Sequence, residues 1–479
     1  MTDDRWRSPL GSRYASPAMQ TLWGERHRIG LWRRLWLALA EAERELGLDI
    51  PEQAIAQMRA HLDDADLEVA ARYERRFRHD VMAHIHAFGD QAPAARPYLH
   101  LGATSAFVTD NADLVVMRDG LRLLLGRLIA VLGALERFAS RHAGLPCLAY
   151  THFQPAQLTT VGKRATLWMQ DFAIDVEEVC RRIETMRLRG CKGTTGTQAS
   201  FLELFGNSHE KVRELDRRVT VKLGFPASFP VTGQTYTRKA DSAVLDTLSG
   251  IAQSAAKLAG DLRLLQHEGE LLEPFEQEQI GSSAMAYKRN PMRAERISGL
   301  ARFVISLQAN TANTAASQWL ERSLDDSANR RLTLPEGFLG TDAMLVLATN
   351  IAAGLEVRED TIRRHVDEQM PFMATERWLM LGTAAGGDRQ ALHEVVRKHS
   401  LAVAEAVSRG EPNALLERLA ADPAFRGVPA AALQAELEPR NYTGRAAQQV
   451  GEFVEEYLRP LLERARPLAA EAEPAEVKV

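Results

Sequence analysis

The stretch Gly281-Ser282-Ser283-Ala284-Met285-Ala286-Tyr287-Lys288-Arg289-Asn290-Pro291 concentrates a glycine, paired small hydroxyls, a lysine and an asparagine. Those residue types suit a mobile loop able to close over a small anion. Further polar clusters accompany it: Ser12-Arg13-Tyr14, Arg78-His79-Asp80, Tyr150-Thr151-His152-Phe153-Gln154-Pro155, Lys192 to Gln198, Gly233-Gln234-Thr235-Tyr236 and Glu321 to Arg331. Most fall where a helical apolar pattern begins or ends. Helix N-termini expose unpaired N–H groups and a partial positive charge, so such ends are natural sites for dicarboxylates or phosphates. No Walker loop, dinucleotide-binding glycine pattern or Cys/His metal cluster is present, so the expected chemistry uses side chains alone, with no cofactor and no metal. Acid-base elimination needs nothing more. His79, His84 and His86 stand close together but lack the i, i+4 pairing of a zinc helix, and solvated helix-face histidines are expected there.

Long helices must carry these clusters. Apolar residues recur at helical spacing from about Asn111 to Ala143, unbroken by proline, and again over roughly 160–188, 240–272, 292–319 and 337–355. Helices near 30 residues, about 45 Å long, far exceed the usual ~11 to 12 residues. They predict a bundle whose apolar surface is wide enough for burial against other subunits. The loop at 281–291 lies between two of them, after an acidic run closed by Pro274 and before a new pattern from Met292. The predicted fold is all-α in three parts: a helical N-terminal domain over 1–104, the long-helix bundle over 105–357, and a smaller helical domain over 358–479. Ala, Glu and Pro dominate from Ala469 onward, where a disordered tail is expected.

Composition narrows the function classes. A chain of 479 residues is too long for one ordinary domain, and 45% hydrophobic with 25% charged residues is the balance of a soluble globular protein. A net charge of −4 argues against a nucleic-acid partner. Cys147, Cys180 and Cys191 show neither metal-ligand nor disulfide spacing, so reduced thiols are expected. The N-terminus lacks the apolar core of a signal peptide, and no apolar run reaches the roughly 18 residues of a membrane span. A cytoplasmic location without a membrane partner is the expectation.

The 281–290 stretch resembles the G-S-S-x-M-x-x-K-x-N signature of the fumarase and aspartase superfamily, whose members cleave C–N or C–O bonds and release fumarate. Ser12-Arg13-Tyr14, Arg78-His79-Asp80-Val-Met-Ala-His84, Lys192-Gly-Thr-Thr-Gly-Thr-Gln-Ala-Ser200, Gly233-Gln-Thr-Tyr236 and Leu324-Asp-Asp-Ser-Ala-Asn-Arg-Arg331 are similar to the adenylosuccinate lyase family, particularly its animal-type branch. The resemblance runs as far as Pro371 to Glu376 and Gly387 to Gln390, about four-fifths of the chain. One departure is Ala286, where the family usually has proline.

The resemblance implies elimination of fumarate from adenylosuccinate, giving AMP, and from SAICAR, giving AICAR. It makes Ser282 the general base, with Ser283 the alternative one residue on, and His152 the general acid. It assigns the nucleotide phosphate to Arg13, Tyr14, Arg322, Ser327 and Arg331. The succinyl carboxylates fall to Thr104, Ser105, Gln234, Lys288 and Asn290, and the rest of the substrate site to Arg78, His79, Asp80, Thr151 and Arg296. It also implies a homotetramer with active sites shared between subunits. A different fumarate-releasing lyase of the superfamily, of the argininosuccinate lyase type, and a non-catalytic structural protein on the same fold are the competing readings.

Overall fold

The computed structural model describes residues 6–471 and Val477. The tail expected from Ala469 therefore lies mostly outside the described residues. Within them, Ala470 donates its N–H to the Arg122 carbonyl at 3.0 Å.

The N-terminal part is helical. Its main elements are α1 (Glu25–Glu45), α2 (Leu67–Phe77) and α3 (Asp80–Gln91). Asp66 caps α2 by accepting the Val69 N–H at 2.9 Å, the usual way a short acidic side chain satisfies a free helix-end donor. Arg78 ends α2 in the left-handed region (φ 55°), and His79 caps α3, so the two helices turn sharply at Arg78-His79.

Five long helices then form the bundle: α4 (Ser105–Arg141), α5 (Val161–Thr185), α6 (Lys239–His267), α7 (Met292–Ala316) and α8 (Asp325–Gly354). α6 packs on α7, α7 on α8, α8 on α4 and α4 on α5. Their facing apolar residues, among them Leu121, Leu128, Phe172, Leu248, Val304 and Met344, are buried in one continuous core that also takes in Trp32, Trp36 and Phe88 from the N-terminal part. A separate, smaller core gathers Trp378, Leu415, Phe425 and Leu433 in the C-terminal part.

Two segments differ from the sequence expectation. Pro146–Thr151 and Gln154–Thr160, expected as a polar lead-in to the second long helix, pair as an antiparallel hairpin, β1 and β2. Glu321 to Arg331, expected as a connector, is largely helical, because α8 starts at Asp325 rather than near residue 337 and continues through Pro335. Its first turns are polar because they face a cavity and a set of buried charges, which hid them from an apolar-periodicity reading. α8 is also long and apolar enough to cross a membrane by length and composition, yet most of its apolar stretch is buried inside the bundle.

Candidate active site

The N-terminal ends of α4 and α8, the residues leading into α6, and the α2–α3 corner converge on a cavity of about 870 Å³. Of the residues singled out from the sequence, Arg78, His79, Asp80, Ser105, Gln234, Arg322, Ser327 and Arg331 line it, and Thr104 immediately precedes Ser105. Neither α4 nor α8 has a side-chain cap at its start, where the Phe107 and Ser327 N–H groups bond the Thr104 and Leu324 carbonyls, and both helix ends border this space with their partial positive charge. Guanidinium groups beside open helix ends make a site for an anion. Arg331 is mostly exposed and meets Asp80 at 3.4 Å.

His79 is held in a defined orientation. Its Nδ1 accepts the Met82 backbone N–H at 3.3 Å, so the neutral ring carries its proton on Nε2, which lies 3.3 Å from Ser105 Oγ. The other two histidines of that group are structural rather than solvated. His84 is buried edge-on against Trp32, and burial pushes it down to about 4. His86 packs against Tyr73 and Phe77.

A set of mostly buried charges that the motif reading missed includes Asp110, Asp113, Arg238 and Arg330 of the cavity wall. Arg238 bonds both Asp110 and Asp326, while Arg330 bonds Asp241 at 2.7 Å, Asp113 at 3.0 Å and the Tyr236 hydroxyl at 2.6 Å. Burial pushes the Asp110 carboxyl up, but Arg238, Arg330 and Arg189 outweigh it and hold the group below its usual range. For Asp113 burial wins and the carboxyl is raised. The available signal was Asp110 and Asp113 themselves, two acids at the start of an otherwise apolar helix pattern. Lys192, in a segment that looked chemical, is also structural, being buried against Asp216 at 2.7 Å.

The signature residues stand elsewhere. Gln266, in the last turn of α6, donates to the Arg289 carbonyl at 2.8 Å, and Arg289 pairs with Glu356 just beyond the end of α8. Asn290 Nδ2 donates to the Gly281 carbonyl at 2.8 Å, closing the loop at its base. Ser282 is half-buried and its Oγ accepts the Met285 N–H at 3.1 Å, whereas Ser283 is exposed. A backbone donor aimed at that oxygen favours its anionic form. Lys288 is exposed, its N–H closing a turn onto the Met285 carbonyl at 3.0 Å. The start of α7 is not open to a ligand, because buried Glu273 takes the Arg293 and Ala294 N–H groups at 3.0 and 3.1 Å. Arg296 lies over the Tyr14 ring at 5.2 Å, and neither they nor Arg13 line the cavity.

Thr151 and His152 occupy the exposed tip of the β1–β2 hairpin. His152 and Phe153 form a two-residue connection with φ of 52° and 59°. This turn normally selects Asn-Gly, and left-handed backbone costs an ordinary L-residue roughly 1 to 2 kcal/mol. The conformation places the His152 imidazole at the extremity of the hairpin.

Arg322, Ser327 and Arg331 thus lie at the start of α8, and Ser282 and Lys288 beyond its end. α8, 30 residues and about 45 Å long, places most of its length between the two groups. One chain by itself does not bring the sequence-identified residues into a single site.

A family model described as lyase matches residues 16–306, and one described as adenylosuccinate lyase C-terminus matches 371–453. The chain is 50% identical over 456 residues to adenylosuccinate lyase of Saccharomyces cerevisiae, with 94% of each chain covered. It is 45% identical over 462 residues to the Schistosoma mansoni adenylosuccinate lyase, covering 96% of each. Among solved structures, a fumarate lyase from Mesorhizobium sp. BNC1 superposes with a TM-score of 0.77 at 25% identity, covering 94% of this chain and 98% of the other. A 3-carboxy-cis,cis-muconate lactonizing enzyme from Pseudomonas putida gives 0.81 at 23% identity, covering 97% and 100%, and shares the fold.

Proposed function

The chain belongs to the adenylosuccinate lyase family, and on that premise we propose that it eliminates fumarate from adenylosuccinate, releasing AMP, and from SAICAR, releasing AICAR. The observation that carries this reading is the near-full-length relatedness to enzymes of that name, including the C-terminal match, which favours it over other lyases of the superfamily. A structural role without catalysis would need neither the signature loop nor an arginine-lined cavity.

The reaction removes a weakly acidic proton beside a carboxylate and expels a poor amine leaving group. In our reading Ser282 takes the proton and His152 protonates the departing nitrogen. The Met285 N–H on Ser282 Oγ and the Lys288 cation lower the cost of the alkoxide and of the dianionic carboxylate of the intermediate. Arg322, Ser327 and Arg331, with Arg13 and Tyr14, hold the phosphate. Ser105 and Thr104 at the start of α4, with Gln234, Lys288 and Asn290, receive the succinyl carboxylates. Arg78, His79, Asp80, Thr151 and Arg296 complete the substrate site.

We further infer a homotetramer with shared sites. The bundle's length keeps the cavity of one chain far from its own Ser282, which supports a site completed by another copy. Three unpaired cysteines, with burial pushing the Cys147 thiol up to about 11, are consistent with a reducing, cytoplasmic setting. The deciding experiment mixes purified protein with adenylosuccinate and follows the purine absorbance. A steady spectrum with adenylosuccinate, alongside turnover of another succinyl-amine, would replace the proposed substrate.

A further inference from the structure

An alternating row of charges is built into the cavity wall: Asp110, Arg238, Asp326, Arg322. Arg238 donates to Asp110 Oδ1 and Oδ2 at 3.1 and 3.2 Å, and its Nε donates to Asp326 Oδ2 at 2.6 Å. Asp326 in turn accepts from Arg322 Nη1 at 2.9 and 3.1 Å. Side-chain exposure is 3%, 1%, 0% and 25% along the row, so Arg322 is the most accessible of the four, although Asp110 and Arg238 also border the cavity.

We propose that Asp326 is a positioning residue for phosphate recognition, fixing the Arg322 guanidinium in the orientation that receives the nucleotide phosphate. The proposal rests on the reading of Arg322 as a phosphate contact. A free arginine surrenders rotamer freedom when it binds, and a buried, doubly accepting carboxylate removes that cost beforehand. A carboxylate so close would ordinarily cancel the arginine's attraction for an anion. Arg238 shares the Asp326 carboxylate, so that charge is divided between two guanidinium groups rather than neutralising Arg322 alone. The row leaves Arg322 both oriented and cationic. It also ties the turn before α8 to the residues leading into α6, where the Gln234 N–H donates to the Glu321 carbonyl at 2.9 Å.

Titration calorimetry with AMP and with adenosine, on the wild type and Asp326→Asn, separates positioning from packing. Asparagine keeps the shape but accepts from only one oxygen. The expected result is about a 10-fold loss of AMP affinity with adenosine affinity unchanged, and a rise in KM exceeding any fall in kcat. In an Arg322→Ala background Asp326→Asn should add no further loss, since its effect passes through that guanidinium. Arg238→Lys keeps its charge but cannot bridge both carboxylates, and it should give a smaller AMP-specific loss even if Asp326→Asn fails to fold. Unchanged AMP affinity in a folded Asp326→Asn, equal losses for AMP and adenosine, additive losses in the double variant, or no AMP-specific loss in Arg238→Lys would each overturn the proposal. A wild type that binds no AMP would instead remove the nucleotide reading, and the proposal with it.

Discussion

The two ends of the bundle are built on opposite principles. At the start of α8 the charged groups are buried and paired in a network that fixes the cavity wall before any ligand arrives. At the other end Lys288 is exposed, and the His152 tip stands in solvent on a strained turn. On the proposed roles of these residues, the difference amounts to a division of labour, with recognition pre-formed within one chain and proton transfer awaiting assembly. Satisfied buried networks are rigid, whereas groups that must approach a substrate from another subunit have to remain accessible until they meet it.

The largest expected effects fall on the exposed end. Ser282→Ala and His152→Ala should each lose at least ~10²- to 10⁴-fold in kcat. Mixing the two inactive proteins under conditions of subunit exchange should restore part of the activity, because some mixed sites carry both native residues. No recovery despite proven exchange would mean that Ser282 and His152 reach a site from one and the same chain, and the sharing of the proton-transfer pair between subunits would fail. Ser283→Ala is the control, and if it abolishes turnover while Ser282→Ala only weakens it, the base lies one residue on.

At the recognition end, Arg331→Ala should raise KM more than it lowers kcat, since one charged hydrogen bond made equally in ground and transition states contributes roughly 1.5 to 3 kcal/mol. A collapsed kcat with KM unchanged would show that this end participates in the chemistry.

Glu43, on α1, tests the rule that buried carboxylates stay charged only when paired. It is fully buried with neither oxygen bonded, and burial alone pushes it up to about 9 from an ordinary 4.5. Between those values the unfolded chain releases a proton that the folded chain retains, so the group costs stability as pH rises, at up to ~1.4 kcal/mol per pH unit. Glu43→Gln should therefore gain on the wild type in urea unfolding at pH 8 relative to pH 6. An equal difference at both values would mean that Glu43 is ionised in the folded protein.

The smallest effect is expected in the signature loop. Ala286 is the second residue of the turn closed by the Lys288 N–H on the Met285 carbonyl. Proline is favoured at that position, and Ala286→Pro should stiffen the loop by roughly 0.4 to 1 kcal/mol, read as slower amide exchange of Tyr287 and Lys288. Unchanged exchange would show that closure is limited elsewhere.

The chain's residue types alone determined a good deal. Apolar periodicity over 30-residue stretches specifies long helices, because no other element buries a stripe of that length. The residue types and spacing from Gly281 to Asn290 pointed to the chemistry through their resemblance to a superfamily signature, and the residues alone suggested no more than a loop able to close over a small anion. Tertiary structure decided the rest. The β1–β2 hairpin was hidden because its tip uses His152 and Phe153, where turn preferences call for Asn-Gly. The early start of α8 was hidden because its first turns are polar. The pairing of Asp110 and Asp326 with Arg238 joins residues more than 80 positions apart in sequence, and low dielectric makes such a pairing decisive only once the helices have packed and excluded water. The separation of Arg322 from Ser282 likewise follows from the length and packing of the folded helices, which no local pattern encodes.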